Sequence, residues 1–325
     1  MWLVMLLAFA MPVSIACWLL SLVYTIFNDG THCVNPWRWL MAAIIPVLVT
    51  KWGLKKRSLD KSGAITGLVI GFILTISSLC FCACLLTFFV LASKATKYKS
   101  SIKKKFEEDF KEGGQRNWIQ VLCNGGIAAQ FAVLYMLDSG CTEKVVDFQM
   151  WYNSSLFSMA VMGALACSCG DTFASEIGTV FSVNTTPRLI TSLRKVPKGT
   201  NGGITMIGTL SSGMGGALVG VAYYLTLLLC TSDFQLHKSP AQWLIIPTGA
   251  LAGLLGSTID SYLGALFQFS GFDREKKCTV EHPGPNIEFI SGTELLDNHS
   301  VNLLSALLTG LLTPKIAFYL WQCVV

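Results

Sequence analysis

"GAITGLVIGFILTISSLCFCACLLTFFVLA", residues 63–92, runs thirty positions without one charged side chain. About 20 apolar residues suffice to carry a helix across a bilayer. The stretch therefore reads as membrane helix, either one long tilted helix or a tight pair of short ones. The rest of the chain agrees: 52% of its residues are hydrophobic and 13% charged, against about 25% charged in soluble domains. Candidate spans fall near 2–27, 36–50, 63–77, 78–92, 117–137, 153–170, 203–229, 241–267 and 301–323. Residues 1–325 read as a single integral membrane domain, all-α, a polytopic helical membrane protein.

Basic residues settle the choice at 63–92, because Lys and Arg are retained on the cytosolic side of short loops. Loop 51–62 carries five of them, loop 93–116 eight, loop 171–201 four and loop 268–299 three. Loops 28–35, 138–152 and 230–240 hold only Lys144 and Lys238. Two basic loops flank 63–92, so both ends lie on one face and a hairpin is required. That gives about nine transmembrane helices with the N-terminus cytosolic. The first span lacks a basic leader and is longer than a cleaved signal's apolar core, so it reads as a retained anchor. The net charge of +5 sits mostly in the cytosolic loops and suits anionic headgroups or a phosphorylated substrate; no nucleic-acid partner is expected.

The twelve cysteines do not form a zinc pattern. Cys80, Cys82 and Cys84 alternate in an apolar helix, Cys167 and Cys169 sit at a helix end, and no CxxC pair has a partner. Small apolar packing residues are the favoured reading. Cys33, Cys141 and Cys230 fall near the non-cytosolic face with no readable pairing.

Ionisable groups at or within spans are costly and mark function by default. In "CSCGDTFASEIG", Asp171, Thr172, Ser175 and Glu176 fall within a helical arc of about 140°, making one polar face. A water-facing helix cap is the plainer alternative. In "GLLGSTIDSYLGALFQ", Gly253, Ser257, Asp260, Ser261, Gly264 and Gln268 share a face; packing explains the small residues but not the Asp260 carboxylate. Asn117, Gln120 and Asn124 form a third stripe, with Arg116 at the membrane edge beside Gly113 and Gly114. Asn298 and Asn302 open the last span. Amides also bind helices together, so these stripes count only because several begin at the same face.

"RKVPKGTNGGITMIG" is not a Walker A loop, yet it holds similar ingredients. Glycines let backbone N–H groups approach an anion, Lys198 adds charge, and a helix starting near Gly202 or Gly203 offers its positive end. Beside Asp171 and Glu176 this points to Mg²⁺ held by carboxylates, with phosphates held by Lys and amides. "NGGI" recurs at 124–127 and 201–204 without alignable flanks. In the loop 93–116, "KKKFEEDFKE" reads as a surface helix with i, i+4 charge pairs, while Thr96 and Lys97 are near enough to the membrane to reach a phosphate.

Together "GDTFASEIG", "PRLITSLRKVPKGTNGG", "GSTIDSYLGA", "GGQRNWIQVLCNGG" and "DNHSVN" resemble the transmembrane protein 19 family, from about Gly53 to the last span. That wider family includes a plant plastid phytyl-phosphate kinase. The Gly-Asp-x-x-Ala-Ser pattern with a following Lys/Gly-rich loop is also similar, more distantly, to CTP-dependent dolichol and phytol kinases and to CDP-diacylglycerol synthases. The resemblance implies a CTP-using, Mg²⁺-dependent enzyme that converts a prenyl or similar lipid monophosphate into a diphosphate at the cytosolic membrane face. The implied metal-associated residues are Asp171 and Asp260, joined by Glu176 from the residue pattern itself. The implied phosphate-binding residues are Lys198, Thr200, Asn201, Gly202 and Gly203, with Thr172, Ser175, Arg188, Lys97, Arg116, Asn117, Gln120, Asn124, Asn298 and Asn302 as further candidates. Two departures stand out: Ser257 occupies the place of the second acid of the cytidylyltransferase element, and Cys123 that of a small residue such as Ala. The first weighs against a cytidylyltransferase more than against a kinase.

A phosphate nucleophile is already ionised at neutral pH, so no strong general base is needed, which suits a chain whose four histidines form no catalytic arrangement. A retained anchor and a prenyl substrate point to the endoplasmic reticulum. The competing classes are a transporter, which would carry acids deeper in its spans, and a relative that binds lipid phosphate without turnover. Asn153, Asn184 and Asn298 begin N-x-[ST] sequons, and the last two are expected in the cytosol.

Overall fold

The computed structural model describes residues 2–27, 34–98, 114–182, 185–276 and 278–324, with no side-chain description for 2–10 and 24–27. Within it the chain forms α1 (Trp2–Phe27), α2 (Pro36–Lys55), α3 (Lys61–Ser77), α4 (Leu79–Lys97), α5 (Trp118–Ser139), α6 (Tyr152–Phe181), α7 (Met206–Cys230), α8 (Asp233–Lys238), α9 (Ile245–Phe267) and α10 (Asn298–Val324). Among the described residues, six of these helical segments are long and apolar enough to cross a membrane by length and composition: α4, α5, α6, α7, α9 with the 3₁₀ turn before it, and α10.

The uncharged run breaks at Ser78, whose extended backbone (φ −159°, ψ 140°) separates α3 from α4 and whose side chain accepts from Cys80 N–H. The turn is fastened from elsewhere in the chain. Leu79 N–H donates to Glu143 Oε1 at 2.8 Å, and Arg38 pairs with the other oxygen of Glu143 at 2.5 Å. Both members of that ion pair are nearly buried.

α6 is the central post, packed by α4, α5, α7, α9 and α10. Its middle, Ser158 to Gly170, is buried throughout. Small residues make this possible. α7 and α9 cross backbone on backbone through Gly216 and Gly220 against Gly249 and Gly253: a Cβ on Gly216 would lie 2.1 Å from the Gly249 carbonyl oxygen. Such small-xxx-small spacing is how membrane helices come within van der Waals reach.

Two expectations are corrected. Residues 171–181 are not loop: α6 continues through them to Phe181. At about 1.5 Å per residue a helix of this length outruns a hydrocarbon layer of about 30 Å, so its polar last turns stand beyond the apolar slab. The second concerns 268–299, expected as loop in an all-α chain. It contains a three-stranded antiparallel sheet, β3 (Ser270–Asp273), β4 (Cys278–Val280) and β5 (Ile287–Ser291), in the order β4-β3-β5. A two-residue pair, β1 (Arg188–Leu189) and β2 (Gly203–Ile204), adds a second small sheet. Of the cysteines, all eleven in the described segments are free, Cys141 and Cys230 included. Cys33, Gly113, the lysine-rich stretch 103–112 and the Asn184 sequon lie outside the described residues.

Candidate functional site

At the end of the bundle where α6 outruns its neighbours, the helices open around a polar cavity of about 1020 Å³. Its floor begins at Gly170, where α6 passes so near α9 and α7 that a Cβ would lie 2.8 Å from Gly253 Cα and from the Ser212 carbonyl. One residue later comes Asp171. Thr172 Oγ1 donates to the Ser168 carbonyl at 2.8 Å and Ser175 Oγ to the Asp171 carbonyl at 3.1 Å. Back-bonding of this kind spends the hydroxyl hydrogens on the helix and leaves oxygen lone pairs facing the cavity.

Across from Asp171 stands Asp260 on α9, held by Ser305 Oγ of α10, which donates to its Oδ2 at 3.2 Å. The two carboxylates are close enough for their charges to interact. Glu176, further along α6, interacts with Asp171 on one side and with Arg116 on the other. Three acids and one guanidinium thus form a chain of charge around one space. Among the described residues no three His, Cys, Asp or Glu side chains converge as a closed metal site. The donor set is instead an open pair of carboxylates with hydroxyls beside it. That fits a hard cation such as Mg²⁺, which commonly takes one or two carboxylates and completes its shell with water and phosphate oxygens.

The second wall is the turn before α7. Gly202 (φ +76°) lies against α9, where a Cβ would fall 2.4 Å from Ala265 Cβ and 2.5 Å from the Ser261 carbonyl. Only glycine meets both the backbone conformation and the contact. Asn201 anchors the turn to the sheet: its N–H donates to Ser270 Oγ at 3.0 Å and its amide to the Phe269 carbonyl at 3.2 Å. Thr200 Oγ1 donates to the Pro197 carbonyl at 2.7 Å. Those side chains hold the turn, and Lys198 with Gly199 and Gly203 lines the cavity. The helix starts at Met206 rather than Gly202 or Gly203, and its cap Thr205 accepts from Gly208 N–H at 3.1 Å. The N-terminal end of α7 borders the cavity through Thr205, Gly208 and Thr209, adding a positive dipole end.

The third wall is Arg116. The segment around it is tied to the α2–α3 connection, where Arg116 N–H donates to the Ser58 carbonyl and Asp60 N–H to the Arg116 carbonyl, both at 3.1 Å. Its guanidinium donates to Ser93 Oγ at 3.1 Å and Thr96 Oγ1 at 3.5 Å. Burial pulls its pKa below the ordinary value, with the Glu176 charge opposing. An arginine starts so high that it stays charged regardless. Asn298 and Asn302 close the circle from α10.

Four candidates stand elsewhere. Lys97 lies outside the cavity because its ammonium donates to the Lys56 carbonyl and to Ser58 Oγ. Asn117 is the cap of α5, in a reciprocal capping box with Gln120. Asn124 lines a separate apolar cavity, and Arg188 is turned outward, donating to the Leu193 carbonyl at 2.9 Å. Sequence reasoning missed the far wall, where Asp273, Lys276, Thr279 and His282 of the β3–β5 region face the cavity. The signal available was the alternation in "CTVEH", too short to separate from a loop.

The sequence of residues 44–310 matches the family described as "Integral membrane protein DUF92". Protein PGR of Arabidopsis thaliana is 41% identical over 287 residues, covering 87% of this chain and 98% of that protein. The Uncharacterized membrane protein MJ0933 of Methanocaldococcus jannaschii is 29% identical over 282 residues, covering 84% of this chain and 92% of that one. No solved structure matches.

Proposed function

The chain belongs to the DUF92 integral membrane family, of transmembrane protein 19 type, and we propose that it is a kinase of a membrane lipid monophosphate. In this reading the cavity takes a nucleoside triphosphate, CTP by resemblance, and a prenyl monophosphate, and gives a prenyl diphosphate. The observation that carries it is one polar cavity lined both by Asp171 and Asp260, whose charges interact, and by Lys198 and the N-terminal end of α7. Two carboxylates facing each other repel, and a divalent cation relieves that repulsion as no monovalent phosphate binder would.

Asp171 and Asp260, with Glu176 behind them, would hold Mg²⁺, which when bound would neutralise part of the phosphate charge. Lys198 takes the terminal phosphates, and the Gly199–Gly203 turn lets backbone approach them. Arg116 holds the acceptor phosphate on the third wall. The acceptor oxygen attacks the γ-phosphorus, the β–γ bridging bond breaks, and the nucleoside diphosphate leaves; no proton needs removal. Positioning and fixed charge supply the rate. The nine-span arrangement with a cytosolic N-terminus, and residence in the endoplasmic reticulum, belong to the same proposal, since they put the cavity on the nucleotide-bearing side.

Nucleotide binding tests this directly. Purified protein in lipid nanodiscs is expected to bind CTP only with Mg²⁺, and Lys198→Ala to weaken that binding at least about tenfold. Binding that is metal-independent and unchanged in Lys198→Ala would contradict the assignment.

A further inference from the structure

A second, apolar cavity of about 70 Å³ lies between α2, α3, α4 and α5. It exists because α3 packs on α2 and α5 while α4 stands off from both. Its walls run from the site end of the bundle almost to the Ser78 turn, from Phe89 to Cys82 on α4 and from Gly67 to Thr75 on α3. It shares Arg116 and Gln120 with the large polar cavity. Its size holds the leading segment of a chain, with the remainder free to continue into lipid.

The junction is the informative point. Arg116 is half-buried, its described partners are two hydroxyls, and among the described residues it forms no ion pair within 4.0 Å. Gln120 spends its side-chain oxygen on the Asn117 N–H, leaving its amide N–H groups as donors there. A half-buried cation and an amide donor at the mouth of an apolar groove match one ligand shape: an anionic head with an apolar tail.

We propose that Arg116 and Gln120 are the headgroup site for the lipid monophosphate, and that its tail enters the bilayer by the α2–α5 groove. This rests on the kinase reading for the identity of the ligand, though the binding it describes does not require turnover. It divides the polar cavity: the nucleotide takes the Lys198 side and the lipid the Arg116 side, with Asp171, Asp260 and Glu176 between.

The test is photolabelling with a farnesyl monophosphate analogue carrying a diazirine on the isoprene unit next to the phosphate, in nanodiscs, with mass-spectrometric mapping. Label is expected on the Gly67–Thr75 or Cys82–Phe89 segments, competed by farnesyl monophosphate but not by farnesol, and reduced at least about tenfold in Arg116→Gln. Gly67→Leu provides a second arm: a Cβ there meets only Thr50 Cγ2 at 3.5 Å, an ordinary contact, so α3 keeps its packing while the groove is filled. That variant is expected to lose the label and keep Mg²⁺-dependent CTP binding. Label elsewhere, label indifferent to the competitor, or label retained in Gly67→Leu would overturn the proposal. Groove labelling in a protein that transfers no phosphate would uphold the lipid site and sink the kinase.

Discussion

Asp171 and Lys97 show why residue type alone does not make a site. Both are ionisable, both lie in the later part of a helix, and both were legible as candidates. Asp171 faces the cavity because α6 continues past Gly170 as helix. Lys97 has its ammonium committed to the Lys56–Ser58 turn, a partner forty residues away in sequence that no local pattern announces. Asn117 was misplaced for a similar reason, since an amide at a helix start serves equally as cap or ligand. The consequence is measurable. Asp171→Asn is expected to lower phosphoryl transfer at least about a hundredfold, the scale for removing one preorganised electrostatic group, with folding retained. Arg188→Ala, on the outer face, is expected to leave the rate within about twofold. A steady-state comparison of the two variants checks both, and equal losses would contradict the placement.

At the level of elements, the hairpin at Ser78 was legible because lipid and charge dictate it: two basic loops cannot flank an odd number of crossings on one face. The polar end of α6 was counted with the 171–201 loop because the apolar run stops at Gly170, although its acids and hydroxyls already shared one helical arc. They are helix because each hydroxyl bonds back one turn. The sheet at 270–291 was missed because strands this short carry too few alternations to separate from a turn. Its tie to the Lys198 turn through Ser270 and Thr279 gives it a structural part in the site. Two stability predictions belong here. Gly216→Ala forces α7 off α9 and is expected to cost about 1–3 kcal/mol, as overpacking generally does, seen as a lower midpoint in detergent melting. Glu143→Ala strands the buried Arg38 charge and frees the Leu79 N–H, so about 3–5 kcal/mol is expected. The double variant Arg38→Met, Glu143→Leu should recover most of it, and no recovery would mean that the pair is not the fastening.

Over the whole molecule, the segregation of charge is the organising fact. Acids and cations gather around the one polar cavity at an open end of the bundle, while small residues seal the interior around α6. Segregation of this kind is visible in one dimension because the positive-inside rule acts loop by loop. What one dimension hides is which acids meet: Asp171 and Asp260 lie in separate spans, and their opposition comes from the α6–α9 crossing at Gly170 and Gly253. Sidedness is checked by Lys195→Cys, expected to react with an impermeant maleimide once the plasma membrane alone is permeabilised; a glycan on Asn298 would reverse the orientation.

The central claim is that the cavity transfers phosphate between a nucleotide and a lipid. The direct measurement supplies γ-labelled CTP or ATP and Mg²⁺ to the purified protein in nanodiscs with a panel of prenyl monophosphates. The account predicts label in a prenyl diphosphate, lost on chelation and lost in Asp171→Asn. Label absent from every lipid in the panel, with intact protein and no Mg²⁺-dependent nucleotide binding, would contradict it.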